Sequence, residues 1–127
     1  MSKNQRFFIC SICGNLAELI EDSGPTMSCC GIPMDELVPN TVEASVEKHL
    51  PVVEKTAQGI DVKVGSVPHP MEKEHHISFV YVSTEQGGQR KDLKIGDSPE
   101  AAFSFADDKP LAAFAYCNLH GLWKTEI

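Results

Sequence analysis

Four cysteines near the start of the chain have the spacing of a metal site. A Cys-x-x-Cys pair is followed, fifteen residues later, by two adjacent cysteines; the four are Cys10, Cys13, Cys29 and Cys30. Four thiolates form a tetrahedral sulfur site that suits zinc or iron. Neighbouring cysteines cannot both reach one ion in the relaxed geometry of a zinc knuckle, so we expect a distorted site.

The cysteine spacing alone leaves three interpretations open. A structural zinc knuckle is the first, and a single iron with a redox role is the second. A redox-active Cys-x-x-Cys pair is the third, although no strand–helix–strand pattern surrounds it. Ferrous iron with four thiolates carries two net negative charges. Such a site could pass electrons but should not bind a small anion.

Four of the five histidines and the fifth cysteine fall in three short segments, 47–51, 69–75 and 117–121. The candidate donors are His49, His69, His75, His120 and Cys117. Structural zinc takes four ligands, whereas this set offers five, which fits a square of imidazoles with an axial thiolate. One coordination position is then open, as small-molecule chemistry on redox iron requires. Ferrous iron with one thiolate keeps one net positive charge, which attracts an anion.

Charge and composition exclude several classes of protein. The net charge is −7, and the basic residues are scattered, so neither nucleic acid nor an acidic membrane surface is an expected partner. Five cysteines, an odd number, argue against a disulfide framework. The sequence has no apolar run long enough to span a membrane and no secretory signal, which predicts a cytoplasmic protein.

The pattern along the chain predicts an all-β protein of two domains. Residues 1–37 contain the cysteine pairs, and so short a domain needs a metal site to fold. Residues 38–127 have short strand-like runs with turn signals about every ten residues, including 85–88, which predicts an antiparallel sandwich. The predicted strands are Val52–Thr56, Ile60–Val64, Ile77–Thr84, Arg90–Ile95, Ala101–Ala106, Leu111–Cys117 and Leu122–Glu126.

The three histidine segments read E-K-H-x-P, H-P-M-x-x-x-H and C-N-x-H-G. In combination they resemble the active-site motifs of the superoxide reductases. The Cys10 to Cys30 pattern resembles the desulforedoxin-type domain of the two-iron members, the desulfoferrodoxins. The resemblance covers essentially the whole chain. It implies a desulforedoxin-like domain with a four-cysteine iron site, followed by an immunoglobulin-like sandwich that carries a catalytic iron.

The resemblance also implies an activity and its components. Superoxide is reduced to hydrogen peroxide without formation of dioxygen, and each chain holds two mononuclear iron ions. A homodimer and a rubredoxin-like electron donor are implied as well. The four histidines named above would be the equatorial ligands and Cys117 the axial ligand. Glu47 would occupy the open position in the resting ferric state, while Lys48 would guide superoxide and help protonation.

One departure from the family pattern concerns His76, which follows His75 directly and is a rival ligand. Adjacent residues of a strand point to opposite faces, and the motif spacing favours His75. The same alternation would separate Lys48 from His49 on a regular strand. The assignment therefore requires a flexible loop before Pro51.

Two other functions are compatible with parts of the pattern. Cys117 and His120 near the end of a sandwich would suit a blue-copper electron-transfer protein. Such a site needs a weak ligand further along the chain, often methionine, and no methionine follows Cys117. A zinc-stabilised binding module without chemistry is the second alternative. Metal analysis distinguishes all three.

Overall fold

A computed structural model of the chain describes residues 5–127 as two compact units, of which one ends at Val38 and the other is Pro39–Ile127. The smaller unit contains a three-stranded antiparallel sheet of order β2-β1-β5 and a separate β3-β4 hairpin. Its strands are β1 Arg6–Ile9, β2 Leu16–Leu19, β3 Ser28–Cys29, β4 Ile32–Pro33 and β5 Asp35–Leu37. Because these strands are so short, the turns that carry the cysteines are the main structural feature of this unit.

The larger unit is a sandwich of two antiparallel sheets, of order β10-β7-β6 and β12-β11-β8-β9. One helical turn precedes seven strands: α1 Val46–His49, β6 Pro51–Lys55, β7 Gly59–Val64, β8 Ile77–Thr84, β9 Gly87–Asp92, β10 Glu100–Ser104, β11 Pro110–Cys117 and β12 Gly121–Glu126. The predicted all-β class, with its small metal-binding unit and immunoglobulin-like sandwich, is confirmed. Within residues 5–127, no helix has the length and apolar character needed to cross a membrane.

The core of the sandwich follows from the alternation of apolar residues along the strands. In β7 the residues Ile60, Val62 and Val64 are buried, while the residues between them are more exposed. They pack against apolar residues of the opposite sheet, of which Cys117 at the end of β11 is one. The hydrophobic core therefore extends to the edge of the sheet where the histidine segments lie.

Strand β9 differs from its prediction. It spans Gly87–Asp92 instead of Arg90–Ile95, because the β8–β9 turn consists of only two residues and Thr84 pairs with Gly87. Gly88 lies inside the strand, where a Cβ atom would be 2.1 Å from the hydroxyl oxygen of Tyr81. The second glycine of 85–88 thus makes room for an aromatic ring and does not form the turn.

The segment before Pro51 also differs from the flexible loop that the sequence predicts. Val46–His49 forms a single helical turn, closed by the amide of Leu50, which donates to the carbonyl of Val46 at 2.9 Å. Leu50 itself is extended, with φ −69° and ψ 122°, as a residue before proline prefers. The turn ends there, and His49 is its last residue.

Candidate metal centres

The adjacent cysteines converge because the backbone between them adopts an uncommon conformation. Cys30 and Gly31 connect β3 to β4 and have φ values of 53° and 76°, as in a two-residue type I′ hairpin turn. This turn brings the sulfur atoms of Cys29 and Cys30 to 4.0 Å from each other. The distortion predicted from the sequence is therefore a left-handed conformation at Cys30.

The first cysteine pair lies in a turn whose amides point at sulfur. The amide of Gly14 donates to the carbonyl of Cys10 at 2.9 Å and closes the turn. The amide of Cys13 donates to the sulfur of Cys10 at 3.5 Å, and the amide of Asn15 donates to the sulfur of Cys13 at 3.5 Å. Such N–H donors stabilise thiolates, which are the form that binds metal.

The four sulfur atoms fit one tetrahedral ion. All lie within 4.8 Å of one another, and the sulfur atoms of Cys13 and Cys29 are 3.6 Å apart. Metal–sulfur bonds of about 2.3 Å place tetrahedral sulfur atoms about 3.8 Å apart. All five cysteines of the chain are free. Hydrogen bonding by the Cys13 thiol is the largest effect that raises the pKa of Cys30, to about 12, so four thiolates together need a cation.

The second cluster forms where several strands end at the same edge of the sandwich. His49 ends α1, just before β6, and the amide of His69 donates to the carbonyl of Val64 at the end of β7, at 2.9 Å. His75 precedes β8, Cys117 ends β11, and His120 precedes β12. Cys117 pairs with the first residues of both β8 and β12, which aligns these strand ends.

The four imidazole rings are arranged as a square. Neighbouring ring centroids are 4.6 Å apart for His49–His69, 4.6 Å for His69–His75, 5.1 Å for His75–His120 and 4.9 Å for His120–His49. The His49–His75 diagonal is longer, at 6.2 Å. Neighbouring planes meet at 75° to 89°, so each ring presents its edge to the next. Four nitrogen donors around one centre exceed the two imidazoles of a blue-copper site.

Backbone carbonyls fix the tautomers of two of these rings. Nδ1–H of His49 donates to the carbonyl of Ser45 at 2.6 Å, and Nδ1–H of His69 donates to the carbonyl of Pro70 at 2.7 Å. Their Nε2 atoms therefore both carry lone pairs, yet they lie 3.2 Å apart. Two nitrogen lone pairs at this distance repel each other unless both nitrogen atoms bind the same cation.

A third ring nitrogen, Nε2 of His75, also indicates a metal site. Nε2 of His75 is buried and has no hydrogen-bond partner within residues 5–127, and an unpaired buried nitrogen is costly. Burial lowers the pKa of His49 and His75, and that of His69 to about 4, which favours the neutral form of the three imidazoles. Neutral imidazoles with free lone pairs are ready to bind a metal ion. The donor set therefore fits a resident metal.

The thiolate and the fourth histidine complete the set. The sulfur of Cys117 lies within 4.8 Å of the donor nitrogens of His49, His69 and His75, and 3.8 Å from Nδ1 of His120. Nδ1 of His120 is also 3.1 Å from Nε2 of His49, so His120 faces the centre through Nδ1. Burial raises the pKa of Cys117, while the amides of Leu119 and His120 lower it by hydrogen bonding.

The structure distinguishes His75 from His76, the other candidate ligand in this segment. His75 is one of the clustered donors, whereas Nδ1–H of His76 donates to the carbonyl of Glu72 at 3.0 Å. Asn118 holds this segment in place: its Oδ1 accepts from the amide of His76 at 2.8 Å, and its Nδ2 donates to the carbonyl of Glu74 at 3.0 Å. Asn118 lies inside the C-N-x-H-G motif, so its position could have suggested this role.

Glu47 and Lys48 are both exposed on α1. The carbonyl of Glu47 accepts hydrogen bonds from the amide of Val67 at 2.9 Å and from the hydroxyl of Ser66 at 3.2 Å, which fixes the turn. After burial and the neighbouring histidines, the charge of Lys48 contributes to the lowered pKa of His49. The positive charge of Lys48 therefore disfavours a second positive charge on His49, whereas the Glu47 side chain has no described contact with the histidine cluster.

Comparison with known proteins assigns the chain to a family. A family model described as desulfoferrodoxin matches residues 41–126, and one described as desulfoferrodoxin, N-terminal domain, matches residues 2–37. The chain belongs to the desulfoferrodoxin family. The four-cysteine cluster and the histidine cluster correspond to the two iron centres of a desulfoferrodoxin.

Individual relatives agree with this assignment. A desulfoferrodoxin of Syntrophotalea carbinolica is 45% identical over 126 residues, which cover 99% of both chains. A superoxide reductase of Pyrococcus horikoshii is 34% identical over 99 residues, which cover 64% of this chain and 86% of that protein. The crystal structure of the superoxide reductase from Treponema pallidum has a TM-score of 0.82 at 37% identity and covers 98% of this chain and all of its own.

Proposed function

We propose that this desulfoferrodoxin is a superoxide reductase. It adds one electron and two protons to superoxide and releases hydrogen peroxide, without forming dioxygen. The observation that carries this proposal is the square of imidazoles with a buried thiolate beside it, five donors that leave a six-coordinate ion one free position. Relatives that bear the name superoxide reductase support the same activity.

Two sets of residues would hold the iron ions. One ion is held by Cys10, Cys13, Cys29 and Cys30, and the other by His49, His69, His75, His120 and Cys117. When bound to the second set, iron supplies the single electron and the free coordination position. The ligands set the charge of the second site. With neutral imidazoles and a single thiolate, ferrous iron would keep one net positive charge there, which attracts an anion despite the overall charge of −7.

Lys48 and Glu47 are the proposed catalytic residues. Both are exposed on the turn that ends at His49, so their side chains meet solvent next to the site. Lys48 steers superoxide towards the site and delivers a proton to it. Glu47 closes the free position in the oxidised resting state. His75 and His120 are only partly buried, so water can also reach this side and protonate the product.

The remaining parts of the proposal concern organisation. Residues 1–37 form an iron domain and residues 38–127 a catalytic domain. The protein acts as a homodimer in the cytoplasm, where its free thiols stay reduced, and receives electrons from a rubredoxin-like donor. The superoxide reductase of Pyrococcus horikoshii matches only 64% of this chain, which supports an activity that does not need the whole chain.

The test combines metal analysis with product stoichiometry. We expect two iron atoms per chain and one hydrogen peroxide per superoxide consumed, with no dioxygen. A dismutase would instead give one peroxide and one dioxygen for every two superoxide ions, and zinc at both sites would end the proposal.

Two adjacent histidines provide a matched pair of variants for the site itself. His75→Ala should lose the second iron, while His76→Ala should keep both iron atoms and full activity. The reverse result would show that the ligand assignment is wrong.

A further inference from the structure

Trp123 contacts two of the four clustered histidines at once. Its ring stacks on the ring of His49, with centroids 5.0 Å apart and planes at 29°. Its Nε1–H donates to the backbone carbonyl of His120 at 3.1 Å. His49 and His120 are themselves neighbours in the square, at 4.9 Å and 89°. One buried side chain therefore constrains both members of a neighbouring ligand pair.

The register of β12 explains how this tryptophan reaches the site. Trp123 pairs with Ala115 of β11, a small residue on the same face as Cys117. Two residues further along β12, the hydroxyl of Thr125 donates to the carbonyl of Pro51 at 2.6 Å. Trp123 and Thr125 lie on one face of the strand. Trp123 contacts the ring of His49, and Thr125 binds the carbonyl of Pro51. The two residues together attach β12 to the segment that begins with His49.

We infer that Trp123 is a positioning residue of the second metal centre, which fixes the ring plane of His49 and the backbone that carries the His120 ring. The carbonyl of Ser45 fixes the tautomer of His49, and the indole of Trp123 lies against the face of the same ring. Trp123 is only 3% exposed, so the packing around it holds the indole in this stacked position and thereby constrains the plane of the His49 ring. This inference rests on the proposed metal centre but not on superoxide as the substrate.

Two substitutions separate the contributions of the indole. Trp123→Phe keeps an aromatic ring on His49 but removes the N–H donor, so the carbonyl of His120 loses its partner. Trp123→Leu removes both contacts. Loss of a group that orients a metal ligand typically lowers metal affinity about 10-fold to 100-fold. We expect Trp123→Phe near the lower end of this range and Trp123→Leu near the upper end, in titrations of the second site with Co²⁺.

A residue-specific readout distinguishes positioning from general destabilisation. In the Co²⁺-loaded full-length chain, each ligand imidazole with a ring N–H gives its own paramagnetically shifted proton NMR signal. Trp123→Phe should move the signals of His49 and His120 and leave those of His69 and His75 close to their wild-type positions. The control is Phe103→Leu, which removes a buried aromatic side chain of β10 and should lower stability without moving any of the four signals.

The outcomes separate this inference from the proposed function. If the wild-type chain gives no shifted imidazole signals, the proposed metal centre itself is wrong. If the wild type gives them and Trp123→Phe moves all four equally or none, Trp123 is an ordinary core residue. Unchanged Co²⁺ affinity in Trp123→Leu would also overturn the positioning role.

Discussion

Replacing Gly65 by alanine should displace the helical turn that carries His49. A Cβ atom at Gly65 would lie 2.6 Å from the carbonyl oxygen of Glu47 and 3.0 Å from that of Leu50. Both are backbone atoms, so no side chain can rotate away. Opening the closer contact from 2.6 Å to an ordinary 3.4 Å moves the turn by about 0.8 Å. Overpacking of this kind costs about 1 to 3 kcal/mol of stability.

The displacement matters because metal ligands tolerate errors of only about 0.5 Å. His49 is the last residue of the turn, and its Nε2 lies 3.2 Å from that of His69. A shift of about 0.8 Å at the turn would therefore separate two donors of the same ion. We expect the second site of Gly65→Ala to bind Co²⁺ about 10-fold to 100-fold more weakly, in line with other losses of ligand orientation.

Gly59, at the other end of β7, provides the matched control. A Cβ atom there would lie 1.9 Å from the carbonyl oxygen of Phe103, so Gly59→Ala overpacks the same strand against backbone far from the histidines. Denaturant unfolding of the metal-free chains and Co²⁺ titration below the unfolding range compare the two variants. Equal loss of Co²⁺ affinity in both, or wild-type affinity in Gly65→Ala, would refute the reasoning.

Further predictions concern the catalytic and supporting residues. Lys48→Ala should react more slowly with superoxide and with less dependence on salt, and unchanged pulse-radiolysis kinetics would exclude the guiding role. Glu47→Ala should still turn over but change the optical spectrum of the oxidised protein; a spectrum identical to wild type at every pH would show that Glu47 is not a ligand. Asn118→Ala loses both hydrogen bonds to the 74–76 segment and should weaken iron binding at the second site, whereas Asn15→Ala should leave that site intact. Metal analysis of the two asparagine variants tests this difference.

Much of the site could be predicted because its chemistry follows from residue types and spacing. The cysteine pairs and the histidine segments supply the candidate donors, and the alternation in Ile60, Val62 and Val64 indicates a strand. The order of the rings around the square could not be predicted, because it depends on which strand ends are neighbours. That information lies in the pairing of β11 with β8 and β12, which involves residues far apart in the chain.

Tertiary contacts explain the places where the structure differs from the sequence-based predictions. Gly87 and Gly88 look like a turn, but Gly88 is required by the ring of Tyr81, a contact between strands. Val46–His49 is too short for a helical periodicity, and its turn is stabilised by Val67 and Ser66, which are distant in sequence. Trp123 follows no metal-binding pattern at all. In each case a tertiary contact decides the local structure or role.

The burial of Cys117 affects how the protein resists oxidation by hydrogen peroxide, the product of the reaction. Peroxide oxidises thiolates that it can reach, and the sulfur of Cys117 belongs to a side chain with no exposed surface. Cys13 and Cys30, in contrast, are exposed. Oxidative damage should therefore begin at the exposed cysteines of the four-cysteine cluster and not at Cys117. The thiols most open to peroxide therefore belong to the smaller unit.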